Sequence, residues 1–474
     1  MSKKHLTVKP HIFTFYHIFS KAFFLLIFPF LQQIFLHPES IWQKVTYTVF
    51  NILFIVALIA VICFEYKQIA YLQHHRLITF KKGLFHHNKI FLPTKELTAV
   101  SVTRSLILWL AHCCRVYISS STCFKTRKIE LFTGNKSSKQ IIDFTTNKSA
   151  QHILYKSHFI LPTLMALTQS NALAGTLAIS VIFKRLATLI GEQLTEIVID
   201  SINIFPHIMA TNLPPTFAYS AGIIFAGFTF GLINQTITNA NFSSFYNEHF
   251  LFVYKGFIKK SILCVNKALA NGVLIKQSLL MCIAHIYTVS LLYTGIKEDK
   301  NSGVYVPITF GNRLHHYVSA VIPVETSTAT ITPKKDSIKS YLFTPLIFIS
   351  IVTIICFRMY DNFKVSFITR FTALVLIPFG ILWLWFRLLA SKHCGIVAGK
   401  STIKINYHNK LNLMVALVYK SSVTKVVIRQ NLWQQIFNKC HLILYICDKK
   451  KMSVKVKHLN FCDAVSFLDN INLN

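Results

Sequence analysis

The residues best suited to chemistry in this chain are basic. Lys81 and Lys82 precede Gly83, Lys259 and Lys260 follow Gly256, and Lys410 follows Asn409. Gly and Asn tolerate the left-handed backbone of a tight turn, so each lysine falls at or beside a hairpin tip. Ammonium groups in that position suit anionic lipid headgroups, from which each gains on the order of 1 kcal/mol near the surface. They equally suit a solvated turn, and the sequence leaves both readings open. Other reactive types are present without the spacing that chemistry needs. The 11 cysteines contain no CxxC pair; Cys113-Cys114 is vicinal, which fits free thiols in a reducing compartment. The pairs His74-His75, His86-His87 and His315-His316 lack matching Cys or acid neighbours, and adjacent residues on a strand face opposite ways. His112 stands beside two cysteines and its counterpart His285 beside Ile286 and Tyr287, so a repeated metal site is not expected. The motifs GxxxxGKS/T, GxSxG and HExxH are absent, and 17 acids make a two-carboxylate centre a poor expectation. A non-catalytic protein with no metal and no cofactor is expected.

These lysines and histidines lie in a stretch used repeatedly. Gly83–Ile118, moved 173 positions (83 to 256), meets Gly256–Leu291 without a gap. Gly83 then falls on Gly256, Ser105 on Ser278, His112 on His285 and Val116 on Val289. Moved 326 positions (83 to 409), it meets Asn409–Leu444, with Thr98 on Thr424 and Cys114 on Cys440. Each copy follows an apolar region, so the chain reads as one unit used three times.

The elements that must carry these copies follow from composition. The 474 residues are 53% hydrophobic, and 50 Lys and Arg against 17 Asp and Glu give a formal charge of +33. The basic residues flank apolar runs and no recognition motif occurs, which points to a membrane protein with basic cytoplasmic segments and not to nucleic acid. The expected fold class is a polytopic α-helical membrane protein of about six spans in three pairs, carrying three small β-rich domains. Each domain is expected to be a strongly bent sheet or half-barrel with a C-terminal helix. Transmembrane hairpin 1 is placed at 1–64 and the first domain at 65–157. Hairpin 2, with a longer connecting loop, is placed at 158–239 and the second domain at 240–335. Hairpin 3 is placed at 336–390 and the third domain at 391–474. Ser149 is expected to cap a helix over Ala150–Lys156, and Thr326–Thr332 is read as a linker. Trp109 and Trp433 are assigned to domain cores in preference to an interfacial role. The expected location is a membrane, with multiple passes and both termini cytoplasmic.

The run from the basic turn at Gly83 through Leu92-Pro93, Leu97–Val102 and SLILWLAHCCRVYIS resembles the bacterial PH-like membrane proteins of the YdbS/YdbT type. The order and sizes are similar to the larger, YdbT-like members with three PH-like domains. The second copy keeps Gly256 but has Val265-Asn266 in place of the Leu-Pro pair, and the third lacks both Gly and Pro. The resemblance implies PH-like barrels, a bacterial cell membrane and no catalytic residues to transfer. It also implies a smaller related PH-like membrane protein as partner, and a part in envelope stress or tolerance of membrane-active peptides. Two functions are therefore expected: a scaffold binding a membrane protein or anionic headgroups, or a lipid or small-molecule exporter component. The absence of Asp and Glu from the expected spans disfavours a proton-coupled carrier.

Overall fold

A computed structural model of the chain describes residues 6–36, 41–74, 77–83, 88–121, 126–146, 152–157, 161, 163–165, 215–293, 303–323, 329–334, 336–360, 366–446 and 452–470. The chain divides into two compact units. The first comprises Met1–Lys156, Asn241–Ala270 and Tyr293–Ser302; the second comprises Ser157–Ala240, Asn271–Leu292 and Gly303–Asn474.

One series of elements recurs three times. The first series begins with β1 (Leu6–Val8), then α1 (Phe13–Leu36) and α2 (Ile41–Gln68). Next come β2 (Ala70–Gln73), β3 (Leu77–Lys82), β4 (Asn88–Pro93) and a 3-10 turn at Thr94–Glu96. It ends with β5 (Leu97–Arg104), the short α3 (Leu106–Leu110), β6 (Cys113–Ser121), β7 (Thr126–Gly134) and α4 (Asn135–Thr146). The second series has β8 (His152–Lys156), α5 (Pro215–Asn239), β9 (Ser243–Tyr246), β10 (Phe250–Lys255) and β11 (Lys260–Asn266). It continues with β12 (Gly272–Ser278), α6 (Leu279–Ile283), β13 (Ile286–Leu292), β14 (Val304–Phe310) and α7 (Gly311–Ser319). The third has β15 (Ala329–Ile331), α8 (Ser337–Tyr360), α9 (Ser366–His393), β16 (Gly395–Ala398), β17 (Thr402–Asn409) and β18 (Asn412–Tyr419). It closes with β19 (Val423–Arg429), α10 (Leu432–Ile436), β20 (Lys439–Ile446), β21 (Met452–Asn460) and α11 (Phe461–Asn470).

Local chemistry explains why the series repeats. The turn after β3 is carried by Gly83 at φ 111° and the turn after β10 by Gly256 at φ 97°. In the third copy Lys410 takes that role at φ 54°. Ser105 and Ser278 cap their short helices by accepting from the backbone N–H of Leu108 and Met281. At the matching third position the Asn431 N–H donates to Gln434 Oε1 at 3.0 Å. Each short helix is then stopped by a left-handed residue: His112 at φ 50°, His285 at φ 51° and Asn438 at φ 48°. Asn and His enter that region more readily than most side chains. The paired histidines are therefore backbone features of a helix end.

The sheets cross the boundaries between copies. In the first unit, β1-β2-β3-β4 form one antiparallel sheet and β7-β6-β5-β11-β10-β9-β8 another. The seam between copies is β5 against β11, in register from Lys260↔Arg104 to Val265↔Ala99. In the second unit the seven-stranded order is β14-β13-β12-β18-β17-β16-β15, with β19-β20-β21 as the remaining sheet. There the seam is β12 against β18, from Gly272↔Val418 to Ser278↔Asn412. The four-strand part of each later copy thus completes the three-strand part of the copy before it.

The first unit's core packs Tyr71, Ile78 and Leu92 against Val116, Ile118 and Leu131, with Ile141 and Ile142 of α4 closing one side. The second unit's core packs Ile396, Ile403 and Ile405 against Leu442, Leu444 and Val456, with Ala464 and Phe467 of α11 closing it. Each such side chain, fully buried, contributes about 1.5–3 kcal/mol by the transfer estimate.

The expectation of a six-span polytopic helical protein is overturned. Four antiparallel sheets stand beside the helices. Among the described residues two helices are long and apolar enough to cross a membrane, Ile41–Gln68 and Ser337–Arg358. The other expected spans that are described, on α1, α5 and α9, are helices outside those two, and apolar residues also fill strands buried on both faces: all of Leu97–Thr103 in β5 and all of Val304–Thr309 in β14 are buried. The region expected to form a third span, Phe159–Phe183, lies almost wholly outside the described residues. Two local readings also change. Ala150–Lys156 was expected to be helical, but His152–Lys156 is a strand because Leu154 and Tyr155 are buried where it pairs with β9. The helix instead occupies Asn135–Thr146. The expected linker Thr326–Thr332 contains β15, paired with β16, and Leu6–Val8 is a strand paired with β2.

The seam has no room for a methyl group at Gly272. A Cβ there would lie 2.3 Å from the Leu417 carbonyl oxygen, whereas one at Gly134 meets nothing within 4 Å. Gly272→Ala is expected to destabilise the second unit by about 1–3 kcal/mol, and Gly134→Ala to leave stability nearly unchanged. Thermal unfolding of the full chain in detergent checks both.

Candidate functional site

The lysines singled out in the sequence are all solvent-exposed. Lys81 and Lys82 end β3 beside Gly83, and Lys82 lies within electrostatic reach of His17 in the second turn of α1. Lys259 and Lys260 bound the turn into β11, where Phe257 and Ile258 are also exposed. Lys410, in the other unit, sits at the β17–β18 turn.

The seam brings two of these tips beside a short helix. Lys260 pairs with Arg104, and Arg104 directly precedes the Ser105 cap of α3. That helix buries Leu108 with Cys113 and Phe132, against Phe13 at the start of α1. Its remaining apolar side chains face outward: Leu106, Ile107, Trp109 and Leu110 are each more than half exposed. Trp109 was expected in the core, but the residue is 57% exposed. A five-residue helix can bury only the face that meets its sheet, and Leu108 occupies that face.

The second copy repeats the pattern. Asn412, two residues after Lys410, pairs with Ser278, the cap of α6. Met281 is buried, while Leu280 and Ile283 are exposed. Leu279 and Cys282 pack on Phe386 and Ala390 near the end of α9. In the third copy α10 exposes Leu432 and Ile436, and Phe437 follows it outward. Nearby, Lys439 Nζ donates to Asp336 O at 2.9 Å and contacts Ser340 Oγ at 3.0 Å, at the start of α8. Each short apolar helix therefore stands near the foot of a long one.

A second cluster, invisible in the sequence, lies inside the second unit. Its members are Tyr341, Arg387, Cys394, His408, His441, Lys457 and His458. Arg387 Nη1 is 2.8 Å from His408 Nε2, and Lys457 Nζ is 3.3 Å from the same nitrogen. Cys394 Sγ is 3.4 Å from His408 Nδ1. The Tyr341 hydroxyl donates to the Lys457 carbonyl at 2.8 Å, and its ring meets His458 edge-on at 4.7 Å. His441 receives Gln434 Nε2 at 2.9 Å and lies 5.1 Å from the His458 ring. Burial, then the charge of Lys457, pushes His408 down to about 3. Burial, then Lys455, takes His441 down to about 3, and burial, then Lys457, takes His458 down to about 4. Burial also raises the Cys394 thiol to about 11 and depresses Lys457. The set is thus three neutral imidazoles, a protonated thiol and two cations. Sequence reading missed it because its members are scattered over more than 110 positions (341 to 458) on five elements and the link between α9 and β16.

Other sequence candidates stay apart from both places. Cys113 and Cys114 are buried, and burial raises the Cys113 thiol to about 12, so it is unreactive. His315 and His316 lie on α7, while His75, His86 and His87 lie outside the described residues. Among the described residues no group of three or more His, Cys, Asp or Glu is arranged to hold a metal ion. No family model, curated protein or solved structure matches the chain.

The buried imidazoles make stability depend on pH. Unfolding lets each return to an ordinary value of 6.5, so below that pH the unfolded chain binds protons that the folded chain excludes. Stability of the second unit is expected to be flat above pH 6.5 and to fall below it, towards pH 4. The slope is up to about 1.4 kcal/mol per pH unit for each histidine. His441→Gln should flatten the slope by about one such increment, read by unfolding the full chain across a pH series.

Proposed function

We propose that this chain is a non-catalytic membrane scaffold whose β-rich lobes are held against the bilayer surface by basic turns and short apolar helices. The observation that carries this reading is the outward face of the helices. Only 6% of the apolar window in Ile41–Gln68 and 17% of that in Ser337–Arg358 is buried, whereas the core helix of a soluble domain would be mostly covered. Apolar surface of this length and exposure calls for hydrocarbon.

The sheets supply a topological argument. β1 and β2 are hydrogen-bonded neighbours that flank α1 and α2; β15 and β16 flank α8 and α9 in the same way. Such a ladder lies wholly on one side of a bilayer. If α2 crosses, α1 brings the chain back; if α8 crosses, α9 does. The feet of each pair meet accordingly. The Tyr66 hydroxyl near the end of α2 donates to the Pro10 carbonyl just before α1, at 3.1 Å. Along the second pair, Gly380 lets Ile349 approach and Phe348 packs edge-on against Trp383. Two membrane hairpins of this kind would leave both chain ends on the lobe side, and the excess of Lys and Arg supports a cytoplasmic location for that side.

Trp109, Ile107, Phe257 and Ile258 would then dip into the interface, with Lys259 and Lys260 on anionic headgroups. Four strands, three strands and a closing helix in every copy support the PH-like resemblance for the lobes. A smaller PH-like membrane protein remains the partner that this resemblance suggests.

A variant keeping Trp109 as its only tryptophan, in bilayers with quenchers at graded depth, tests the placement. Quenching is expected to be strongest at headgroup depth, and quenching by aqueous iodide alone would refute it. Lys259→Gln with Lys260→Gln should lower the preference for anionic over neutral lipid about fivefold per lysine, from about 1 kcal/mol each. Spin-labelled lipids report that ratio, and an unchanged ratio would remove the lysines from the contact.

A further inference from the structure

The inner cluster of the second unit half-buries two positive charges around one neutral nitrogen. His408 Nε2 faces the Arg387 guanidinium at 2.8 Å and the Lys457 ammonium at 3.3 Å. Both are obligate donors, so Nε2 acts as acceptor and the ring proton sits on Nδ1, towards Cys394. One imidazole lone pair is a poor counterpart for two cations. Arg387 Nε is buried as well, with no hydrogen-bond partner, which leaves half of the guanidinium fork unused. Among the described residues the ion pairs are His17–Glu130 and Arg115–Glu130 in the other unit, so neither Arg387 nor Lys457 has a carboxylate partner. Burying unpaired cations is expensive unless an anion joins them.

We propose that Arg387, Lys457 and His408 form a binding site for a phosphate-type oxyanion at the foot of the α8–α9 pair. The planar guanidinium presents Nε and an Nη in parallel, the geometry that takes two oxygens of one phosphate group. Lys457 supplies a second charge from the strand β21. Tyr341 and Cys394 form the wall: Tyr341 is committed through its hydroxyl to the Lys457 carbonyl and fixes that lysine's backbone. His408 is 3% exposed and Tyr341 1%, so the site has a buried back and one cationic side. Carboxylate ligands would leave the second cation partly unmatched; a phosphate ester carries enough oxygens for both.

Two sources offer this chemistry, the phosphate of an anionic phospholipid and free inorganic phosphate. Arg387 lies in the last two turns of α9, about 10 Å along the axis from its end, where a headgroup phosphate would sit. The lipid source rests on the membrane reading above; the oxyanion site does not.

The test uses the full chain, purified in a phosphate-free detergent buffer. Saturable binding is measured for phosphatidylglycerol, for diacylglycerol of the same chains, and for inorganic phosphate. Phosphatidylglycerol is expected to bind and diacylglycerol not. Arg387→Gln and Lys457→Gln are each expected to weaken binding at least tenfold, while Lys425→Gln, an exposed lysine of the same unit, changes nothing. Circular dichroism verifies folding, and Lys457→Gln, which keeps the Arg387–His408 contact, serves if Arg387→Gln misfolds. Binding of inorganic phosphate alone, abolished by the same variants, upholds the site and removes the lipid source and its support for the membrane reading. Equal binding of diacylglycerol, no saturable binding of either phosphate, or binding unaffected by both variants overturns the proposal.

Discussion

Strand pairing across the helix pairs is the constraint on which the rest of this structure depends. β1 finds its partner in β2 only after the chain has run through α1 and α2, and β15 finds β16 only after α8 and α9. A ladder of backbone hydrogen bonds cannot be built through hydrocarbon, because every unpaired N–H and C=O there carries a penalty of several kcal/mol. Pairing therefore fixes where the helices start and end before any property of the helices is considered.

The second constraint is the treatment of sheet edges. An exposed edge invites pairing with another chain. Here β5 and β12 are covered by β11 and β18, the last strands of the four-strand part in the following copy. The same seams lay each later hairpin turn alongside the short helix of the copy before it, as Lys260↔Arg104 and Ser278↔Asn412 show. The association of basic turn and apolar helix is thus a product of sheet register. It could not arise within one copy, whose own turn and helix lie on different sheets in every series.

What could be read from the residues was local. Gly83 and Gly256 take positive φ at matching turns because the chain needs it there, and Ser105 and Ser278 cap matching helices. The gapless shifts of 173 and 326 positions (83 to 256 and to 409) reflect a shared order of elements. What could not be read depends on partners distant in sequence. The expected spans that the structure describes lie on α1, α2, α5, α8 and α9, yet among the described residues only Ile41–Gln68 and Ser337–Arg358 are long and apolar enough to cross, so apolar runs of helical length overstated the number of crossings. His152–Lys156 shows no strand signal until β9 arrives some 90 residues later (152 to 246). Trp109 looks like a core residue in an apolar run, yet a five-residue helix has one inward face and Leu108 fills it. The His408 cluster draws on α8, α9, β17, β20 and β21, and no spacing rule joins them.

Basic charge in this chain therefore has two settings, an exposed rim at hairpin turns and a half-buried pair facing one imidazole. On the membrane reading proposed above, both stand at the feet of helices that leave the lobes and return. The most direct measurement of that proposed return is sidedness. Single cysteines at Trp42, exposed at the start of α2, and at the exposed Lys81 and Lys404 would be introduced into a chain whose native cysteines are replaced. A membrane-impermeant maleimide would then be applied to vesicles of known orientation. The account predicts that position 42 labels from one face and positions 81 and 404 from the other. Labelling of all three from the same face would contradict it.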